Sequence, residues 1–188
     1  MIILKNTYFI MRHGESESNV LKLIASDPVG SVAKNGLTQN GRQQALKFAN
    51  IFADEHDTKP IIISSDLLRA SQTAQILAEV CKVDFKYDER LRERDFGKLD
   101  KQSIDNYTKI WEVSDQDPDA TPYDAESSRS VLVRVKSVID GCEVRYKSRS
   151  VVLVSHGDPL VIACSYFQHG TLTKIVHHFA NAEIRRLI

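Results

Sequence analysis

The chain has 188 residues, of which 42% are hydrophobic and 27% are charged, as in ordinary soluble globular proteins. A chain of this length is expected to form a single domain, residues 1–188, with a sizeable hydrophobic core. Lys plus Arg and Asp plus Glu each number 25, so no net charge draws the protein to nucleic acid or to an anionic membrane.

The cysteine pattern and the hydropathy indicate where the protein resides. Cys81, Cys142 and Cys164 lie far apart among apolar neighbours, which predicts reduced core residues rather than a disulfide framework or a zinc site. No apolar run approaches the roughly 18 residues of a membrane-spanning helix. We therefore expect a cytoplasmic protein with no membrane or nucleic-acid partner. No pattern predicts an oligomeric state.

The first predicted strand leads into a cluster of polar residues. Residues 8–11 form an apolar run without polar alternation, which favours a strand buried on both faces of a parallel sheet. Arg12, His13 and Gly14 follow, where α/β proteins bind ligands beyond the carboxyl ends of their strands. Arg12 offers a forked donor for a carboxylate or a phosphate. His13 could act as base, metal ligand or nucleophile, or its ring could simply bond to backbone.

A helix is predicted after Thr38, and a second buried strand covers residues 61–63. The strand ends in Ser64, Ser65 and Asp66, which we interpret as capping residues of a further helix. Arg69 falls in the first turn of that helix, where a cation opposes the helix dipole at a cost of a few tenths to about 1 kcal/mol. Either Arg69 extends into solvent, or an anion such as phosphate lies close by.

The middle of the chain is less regular. Residues 83–87 are a plausible third strand, and the charge-dense stretch 89–97 resembles a solvated surface loop. Residues 98–126 contain eight acidic residues against three lysines, a formal net charge of −5. We predict that this acidic segment is an insert that lies over the site.

The C-terminal part repeats the pattern of the first strand. A helix is predicted from Ser127, and a buried strand at residues 151–154 ends in His156 and Gly157. Asp158 and Pro159 suit the N-cap and first position of the next helix. Residues 181–187 are expected to form a strand at a sheet edge.

Strands and helices alternate, so the predicted fold class is α/β: a three-layer αβα sandwich around a mostly parallel central sheet. The ends of its strands would bring His13, His156, Arg12 and Arg69 to one edge. Two histidines with two permanent cations predict a site for an anion.

Several separated motifs together resemble the histidine phosphatase superfamily, the phosphoglycerate mutase-like group. They occur in family order over almost the whole chain: Arg12-His13-Gly14-Glu15-Ser16 with Asn19; Gly36-Leu37-Thr38 with Gly41 and Gln44-Ala45; Ser64 to Ala70 with Gln72-Thr73-Ala74; Leu91 with Glu93 and Phe96-Gly97; and Ser155-His156-Gly157.

The resemblance implies phosphoryl transfer in two steps. His13 would attack the phosphate and become phosphohistidine, while Arg12, Arg69, His156 and Asn19 hold its oxygens. Glu93 would protonate the leaving oxygen and then deprotonate the attacking water, which requires a raised pKa. Phosphoryl transfer depends on positioning and charge neutralisation, which two arginines and two histidines supply.

We expect neither a cofactor nor a metal. His13, His156 and Glu93 could in principle bind zinc, but two adjacent guanidinium groups would repel a dication. The remaining histidines are predicted to be structural or surface residues: His56, His169, His177 and His178.

Departures from the family pattern favour a phosphatase over a mutase. In mutases of this family, the catalytic acid is usually followed in sequence by Arg and Tyr, whereas here Arg94 is followed by Asp95 and Phe96. The acidic insert should also disfavour the binding of a bisphosphate. The family's Glu-Gly after Phe-Gly is replaced by Asp100-Lys101.

The predicted protein is a metal-independent phosphomonoesterase of the histidine acid phosphatase type, acting on a small phosphorylated substrate. Mutase-type phosphoryl transfer is the alternative, and a non-catalytic phospholigand-binding module is the alternative from another class.

Overall fold

Five strands form a single sheet in the computed structural model, which describes residues 4–56, 59–173, 175 and 178–187. The strands are β1 (Thr7–Arg12), β2 (Ile61–Ser64), β3 (Phe85–Tyr87), β4 (Ser150–Ser155) and β5 (Ile184–Arg186). Their order is β3-β2-β4-β1-β5. All neighbours are parallel except β5, which runs antiparallel to β1 at one edge. The predicted edge strand is confirmed.

Seven α-helices accompany these strands within the described residues: α1 (Glu17–Val20), α2 (Pro28–Ser31), α3 (Gln39–Glu55), α4 (Leu68–Cys81), α5 (Tyr107–Ser114), α6 (Ser128–Arg145) and α7 (Gly157–Cys164). A π-helical turn, Ser165–His169, continues α7. None of the helices in these ranges is long and apolar enough to cross a bilayer.

The sheet is covered on both faces, which explains why its strands read as continuous apolar runs. Side chains alternate across β1, so Tyr8 and Ile10 pack on one face and Phe9 and Met11 on the other. The first face packs against α6 and α7, and the second against α3 and α4. The predicted three-layer α/β sandwich is therefore confirmed.

The predicted capping residues of α4 are wrong. The helix begins at Leu68, and Leu67 occupies the N-cap position without a side-chain cap. The carboxylate of Asp66 instead accepts a hydrogen bond from Arg92 Nε at 2.7 Å, and Ser64 Oγ donates to the backbone oxygen of Ser65 at 2.8 Å. Both side chains are engaged elsewhere, so neither caps the helix.

The predicted start of α7 is also wrong. The N-cap is His156, and Asp158 and Pro159 lie inside the first turn. Asp158 does not cap because its carboxylate accepts hydrogen bonds from the side chains of Arg94 and Trp111. The helix therefore begins at Gly157, directly after the strand-end histidine.

Residues 98–126 fold as short turns around α5. A small apolar cluster anchors this segment to the loop after α1 and consists of Ile24, Phe96, Leu99, Ile110 and Ala125. Its two ends come together where Glu126 N donates to Asp95 O at 2.8 Å. The segment is thus tied to the loop after α1 and to the stretch that carries Asp95.

Candidate active site

The two strand-end histidines lie side by side because β1 and β4 are adjacent and in register. Arg12 pairs with Ser155 across the ladder, and His13 N donates to Ser155 O at 3.0 Å. The ring centroids of His13 and His156 are 5.2 Å apart. Parallel pairing therefore brings together two residues that are 143 positions apart in the chain.

The His13 ring is held with one nitrogen free to react. Its Nδ1 lies 2.7 Å from the backbone oxygen of Gly14, which can only accept, so the ring proton is assigned to Nδ1. Nε2 then presents its lone pair, to which Arg69 Nε donates at 3.1 Å. Burial, together with the charges of Arg69 and Arg12, holds the pKa of His13 well below its usual value. His13 is thus a neutral imidazole with Nε2 unprotonated, as a nucleophile requires.

Arg69 does not extend into solvent, which resolves the alternative left open by its position in the first turn of α4. Only 3% of the residue is exposed. Its Nη2 donates to the backbone oxygen of Ala25 at 2.9 Å, and burial lowers its pKa. A buried guanidinium at a helix N-terminus is stabilised by an anion.

The proton of His156 is placed by Ser65. Ser65 Oγ accepts from Leu67 N at 3.2 Å and lies 2.9 Å from His156 Nε2. The hydroxyl can donate its single proton to Nε2 while it accepts from Leu67 N, and we assign that direction. The ring proton of His156 is therefore assigned to Nδ1, so Nδ1 is a donor.

Three buried donors surround this arrangement without a hydrogen-bond partner among the described protein atoms. They are Arg12 Nε, Arg69 Nη1 and His156 Nδ1. Each unsatisfied buried donor costs about 1–3 kcal/mol, and more when charged. Arg12 is also anchored, since its Nη1 donates to the backbone oxygen of Phe179. Three such donors beside one unprotonated imidazole form a cradle for a tetrahedral oxyanion.

Asn19 is held with its carbonyl oxygen occupied. Asn19 Oδ1 accepts from Ser16 N at 3.1 Å, from Ser16 Oγ at 3.0 Å and from Asn181 Nδ2 at 3.1 Å. Asn181 Nδ2 also donates to His13 O at 3.3 Å, which links Asn19 to the nucleophile loop. The orientation leaves the Asn19 Nδ2 amide as the group available to donate to a ligand.

Glu93 and Arg12 line the same small cavity. The backbone amide of Arg94 donates to Glu93 Oε1 at 2.9 Å, which orients the carboxyl group. Burial, and secondly the negative charge of Asp158, raise the pKa of Glu93 to about 7, against the opposing effect of Arg69. A carboxyl with this pKa can both donate and accept a proton near neutral pH.

The nucleophile loop packs against the start of α3 more tightly than side chains would permit. A Cβ on Gly14 would lie 2.3 Å from Gly41 O, and one on Gly41 would lie 1.9 Å from Glu15 O. Thr38 Oγ1 caps α3 by accepting from Gly41 N at 2.9 Å and donates to Glu15 Oε1 at 2.7 Å. These two glycines fix the loop that carries His13.

The described residues contain no group of three or more His, Cys, Asp or Glu arranged to hold a metal ion. The residues that converge here are buried hydrogen-bond donors, one unprotonated imidazole and one carboxyl group.

The family model of the histidine phosphatase superfamily (branch 1) matches residues 8–188. The chain belongs to this superfamily. A relative from Salmonella arizonae, named probable phosphoglycerate mutase GpmB, is 33% identical over 154 residues, which cover 79% of this chain and 68% of the relative. The protein of the same name from Escherichia coli is 32% identical over the same spans.

Solved histidine phosphatase structures share the fold. The mycobacterial glucosyl-3-phosphoglycerate phosphatase in complex with VO3 superposes with a TM-score of 0.82, at 22% identity, over 96% of this chain and 90% of that one. A phosphoserine phosphatase mutant from Entamoeba histolytica, in complex with phosphoserine, gives a TM-score of 0.75 at 26% identity, over 95% and 88% of the two chains.

The structure brings together the site residues that the sequence predicted, and adds others that it missed. Ser65 was interpreted as a cap, and Asn181 as part of an edge strand. Arg94 was assigned to a solvated loop, yet it is fully buried and paired with Asp158 at 3.3 Å. The only sequence signal for Arg94 was its position next to Glu93.

None of the other described histidines lines the cavity beside Glu93. His56 stacks on Phe52 with ring centroids 4.5 Å apart, and His169 and His178 are exposed. His177 lies outside the described residues.

Proposed function

We propose that the protein is a phosphomonoesterase that hydrolyses a small phosphorylated substrate through a phosphohistidine at His13. The observation that carries the proposal is the orientation of His13, whose unprotonated Nε2 is surrounded by the unpartnered donors of Arg12, Arg69 and His156. This combination suits in-line attack on phosphorus with neutralisation of the oxygens.

In the first step His13 Nε2 forms a bond to phosphorus and the ester P–O bond breaks. Arg69 Nε, which now donates to Nε2, would pass to a phosphate oxygen as that lone pair is consumed. The leaving oxygen takes the proton of Glu93, which its raised pKa keeps available near neutral pH.

In the second step water attacks phosphorus as the N–P bond breaks. Glu93, now ionised, accepts the proton of that water, and inorganic phosphate leaves. The imidazole regains its lone pair, so the cycle consumes one ester and one water. No step calls for a metal, and two guanidinium groups beside His13 would repel a dication.

The proposal treats the chain as a single domain in which segment 98–126 covers the site. Tyr107 and Trp111 of α5 line the same cavity as Glu93 and Arg12. The side chains of Trp111 and Arg94 both reach α7, where they donate to the carboxylate of Asp158. A covered site excludes bulk solvent, which strengthens the electrostatic interactions inside it.

Hydrolysis of an aryl phosphate in the presence of EDTA tests the proposal. The wild type is compared with His13→Ala, and His169→Ala, at an exposed position, is the matched control. Wild type and His169→Ala should turn over, and His13→Ala should not. Labelled substrate should leave an acid-labile, alkali-stable adduct on His13. Phosphate binding without turnover by the wild type would instead favour a non-catalytic phospholigand module.

Mutase-type transfer is the second candidate because the curated relatives are named probable phosphoglycerate mutases. It is tested by following 3-phosphoglycerate in the presence of a bisphosphoglycerate primer. Efficient isomerisation, faster than release of inorganic phosphate, would replace the phosphatase assignment.

A further inference from the structure

One guanidinium holds the backbone that carries Glu93. From helix α6, Arg134 Nη1 donates to the backbone oxygens of Arg90 and Arg92, each at 2.7 Å, and Arg134 Nη2 donates to Glu93 O at 3.2 Å. These three oxygens lie in the charge-dense stretch that the sequence predicts to be a solvated loop. The stretch is instead attached to α6 at three points between residues 90 and 93.

Glu126 fixes the rest of the same guanidinium. Arg134 Nε donates to Glu126 Oε1 at 2.8 Å and Arg134 Nη2 donates to Oε2 at 2.9 Å, a bidentate pair in which each side chain is only 18% exposed. Together with the three backbone oxygens, this pair occupies all five N–H donors of the arginine. A lysine has three donors on a single nitrogen, so it cannot reproduce this fork.

One of the five bonds reaches the peptide group that orients the carboxyl of Glu93. The oxygen that accepts from Arg134 Nη2 and the amide N–H of Arg94 belong to the same peptide unit, which is planar. That N–H donates to Glu93 Oε1 at 2.9 Å. Because the unit is rigid, holding its oxygen also fixes the direction of its N–H. Arg134 therefore determines where the amide that binds the Glu93 carboxyl points.

The amide bond also affects the proton of Glu93. Burial and the charge of Asp158 raise the pKa of this carboxyl, while Arg69, the amide of Arg94 and Arg12 oppose that rise. A hydrogen bond to the ionised form of an acid stabilises that form. Loss of the amide bond should therefore raise the pKa of Glu93 further.

We propose that Arg134 is a positioning residue for the general acid, because it holds the peptide group between residues 93 and 94 and so directs the Glu93 carboxyl toward the leaving oxygen. This rests on the proposed function, in which Glu93 protonates that oxygen. Arg134 does not line the cavity that Glu93 shares with Arg12, so it acts through Glu93 and not on the substrate.

Arg134→Lys keeps the positive charge and loses the fork. With an alkyl phosphate, whose leaving oxygen must be protonated, kcat/KM should fall about tenfold. With an aryl phosphate the fall should be much smaller, so the ratio of aryl to alkyl kcat/KM should rise. Arg134→Gln, which keeps part of the donor set without the charge, should raise the ratio as well. This ratio does not depend on the fraction of protein that folds.

Arg129→Lys is the matched control. Arg129 lies on the same helix, but it pairs with Asp119 at 2.6 Å and both side chains are exposed. Its substitution should leave the ratio at the wild-type value. A wild-type ratio in either Arg134 variant, or an equal rise in Arg129→Lys, would refute the positioning role.

Glu126→Gln separates the contact with the peptide from the charge of the ion pair. This variant removes the negative charge but leaves the three backbone oxygens bound by Arg134. The ratio should therefore rise less than in Arg134→Lys. A rise as large as that of Arg134→Lys would assign the effect to the ion pair and overturn the proposed role of the peptide contact.

Titration of the Glu93 carboxyl by ¹³C NMR, with Glu93→Gln to assign the signal, separates this inference from the phosphatase assignment. The midpoint, about 7 for the wild-type pKa, should rise by about one pH unit in Arg134→Lys, because one hydrogen bond to the ionised form is lost. If the wild type hydrolyses no ester, the proposed function fails, yet the titration still reports on Arg134. An unchanged midpoint would refute the inference.

Discussion

Replacing Glu93 by Gln removes the proton donor for the leaving oxygen while keeping the shape of the side chain. The backbone amide of Arg94 can still donate to the amide oxygen of Gln, at the place where it now donates to Glu93 Oε1 at 2.9 Å. With an alkyl phosphate, whose alkoxide must be protonated, kcat/KM should fall by about 10²- to 10⁴-fold. With an aryl phosphate, whose phenolate leaves without a proton, the fall should be much smaller.

The pH dependence follows from the direction of the Glu93 shift. Burial and Asp158 raise its pKa to about 7, so the carboxyl is protonated below this pH and ionised above it. The acid acts in its protonated form during the first step. Wild-type kcat/KM for an alkyl phosphate should therefore be level on the acidic side of this pKa and fall about tenfold for each pH unit above it.

Stopped-time phosphate release from pH 5 to 9, with both esters, measures this profile. The Glu93→Gln variant should lack the fall above pH 7, and Glu89→Gln, at an exposed position beside Arg92, serves as the matched control with a wild-type profile. Persistence of the alkaline fall in Glu93→Gln, or an equal loss with both esters, would show that another group is the acid.

Two further changes test the geometry of the site and of its support. Ser65→Ala removes the donor to His156 Nε2, so kcat/KM should fall about tenfold, which corresponds to the loss of a buried hydrogen bond. ¹⁵N NMR of this variant should show that the His156 ring proton is no longer confined to Nδ1. Ser65→Thr, which keeps the hydroxyl, should restore the wild-type tautomer. A wild-type tautomer in Ser65→Ala would refute the assignment. Gly41→Ala should lower the melting temperature, since its Cβ would lie 1.9 Å from Glu15 O. Gly141→Ala is the control, because its Cβ meets nothing within 4 Å, and it should stabilise helix α6 by up to about 1 kcal/mol. Equal effects of the two substitutions on thermal unfolding would contradict the close packing at Gly41.

Local patterns in the chain determined the sheet and the position of the two histidines. The apolar runs at residues 8–11 and 151–154 require strands covered on both faces, and parallel strands place their carboxyl ends at one edge. Arg69 was placed correctly in the first turn of α4, because the end of a strand and the start of the following helix are both local features of the sequence. Thr38 and Ser127 likewise cap the helices predicted to follow them.

Only the tertiary structure decided which polar side chains face the cavity and which are buried behind it. Arg94 and Asp158 are 64 residues apart, and Asn19 and Asn181 are 162 residues apart, so no periodicity or capping rule relates them. A charge-dense stretch predicts a solvent-exposed loop, and only the tertiary structure shows that residues 98–126 cover Arg94. The proton position on His156 is also assigned from a distant partner, Ser65. The chain itself therefore determined that two histidines lie at the same edge of the sheet, because strand pairing is encoded locally. The packing of loops over that edge determined which other groups lie beside them.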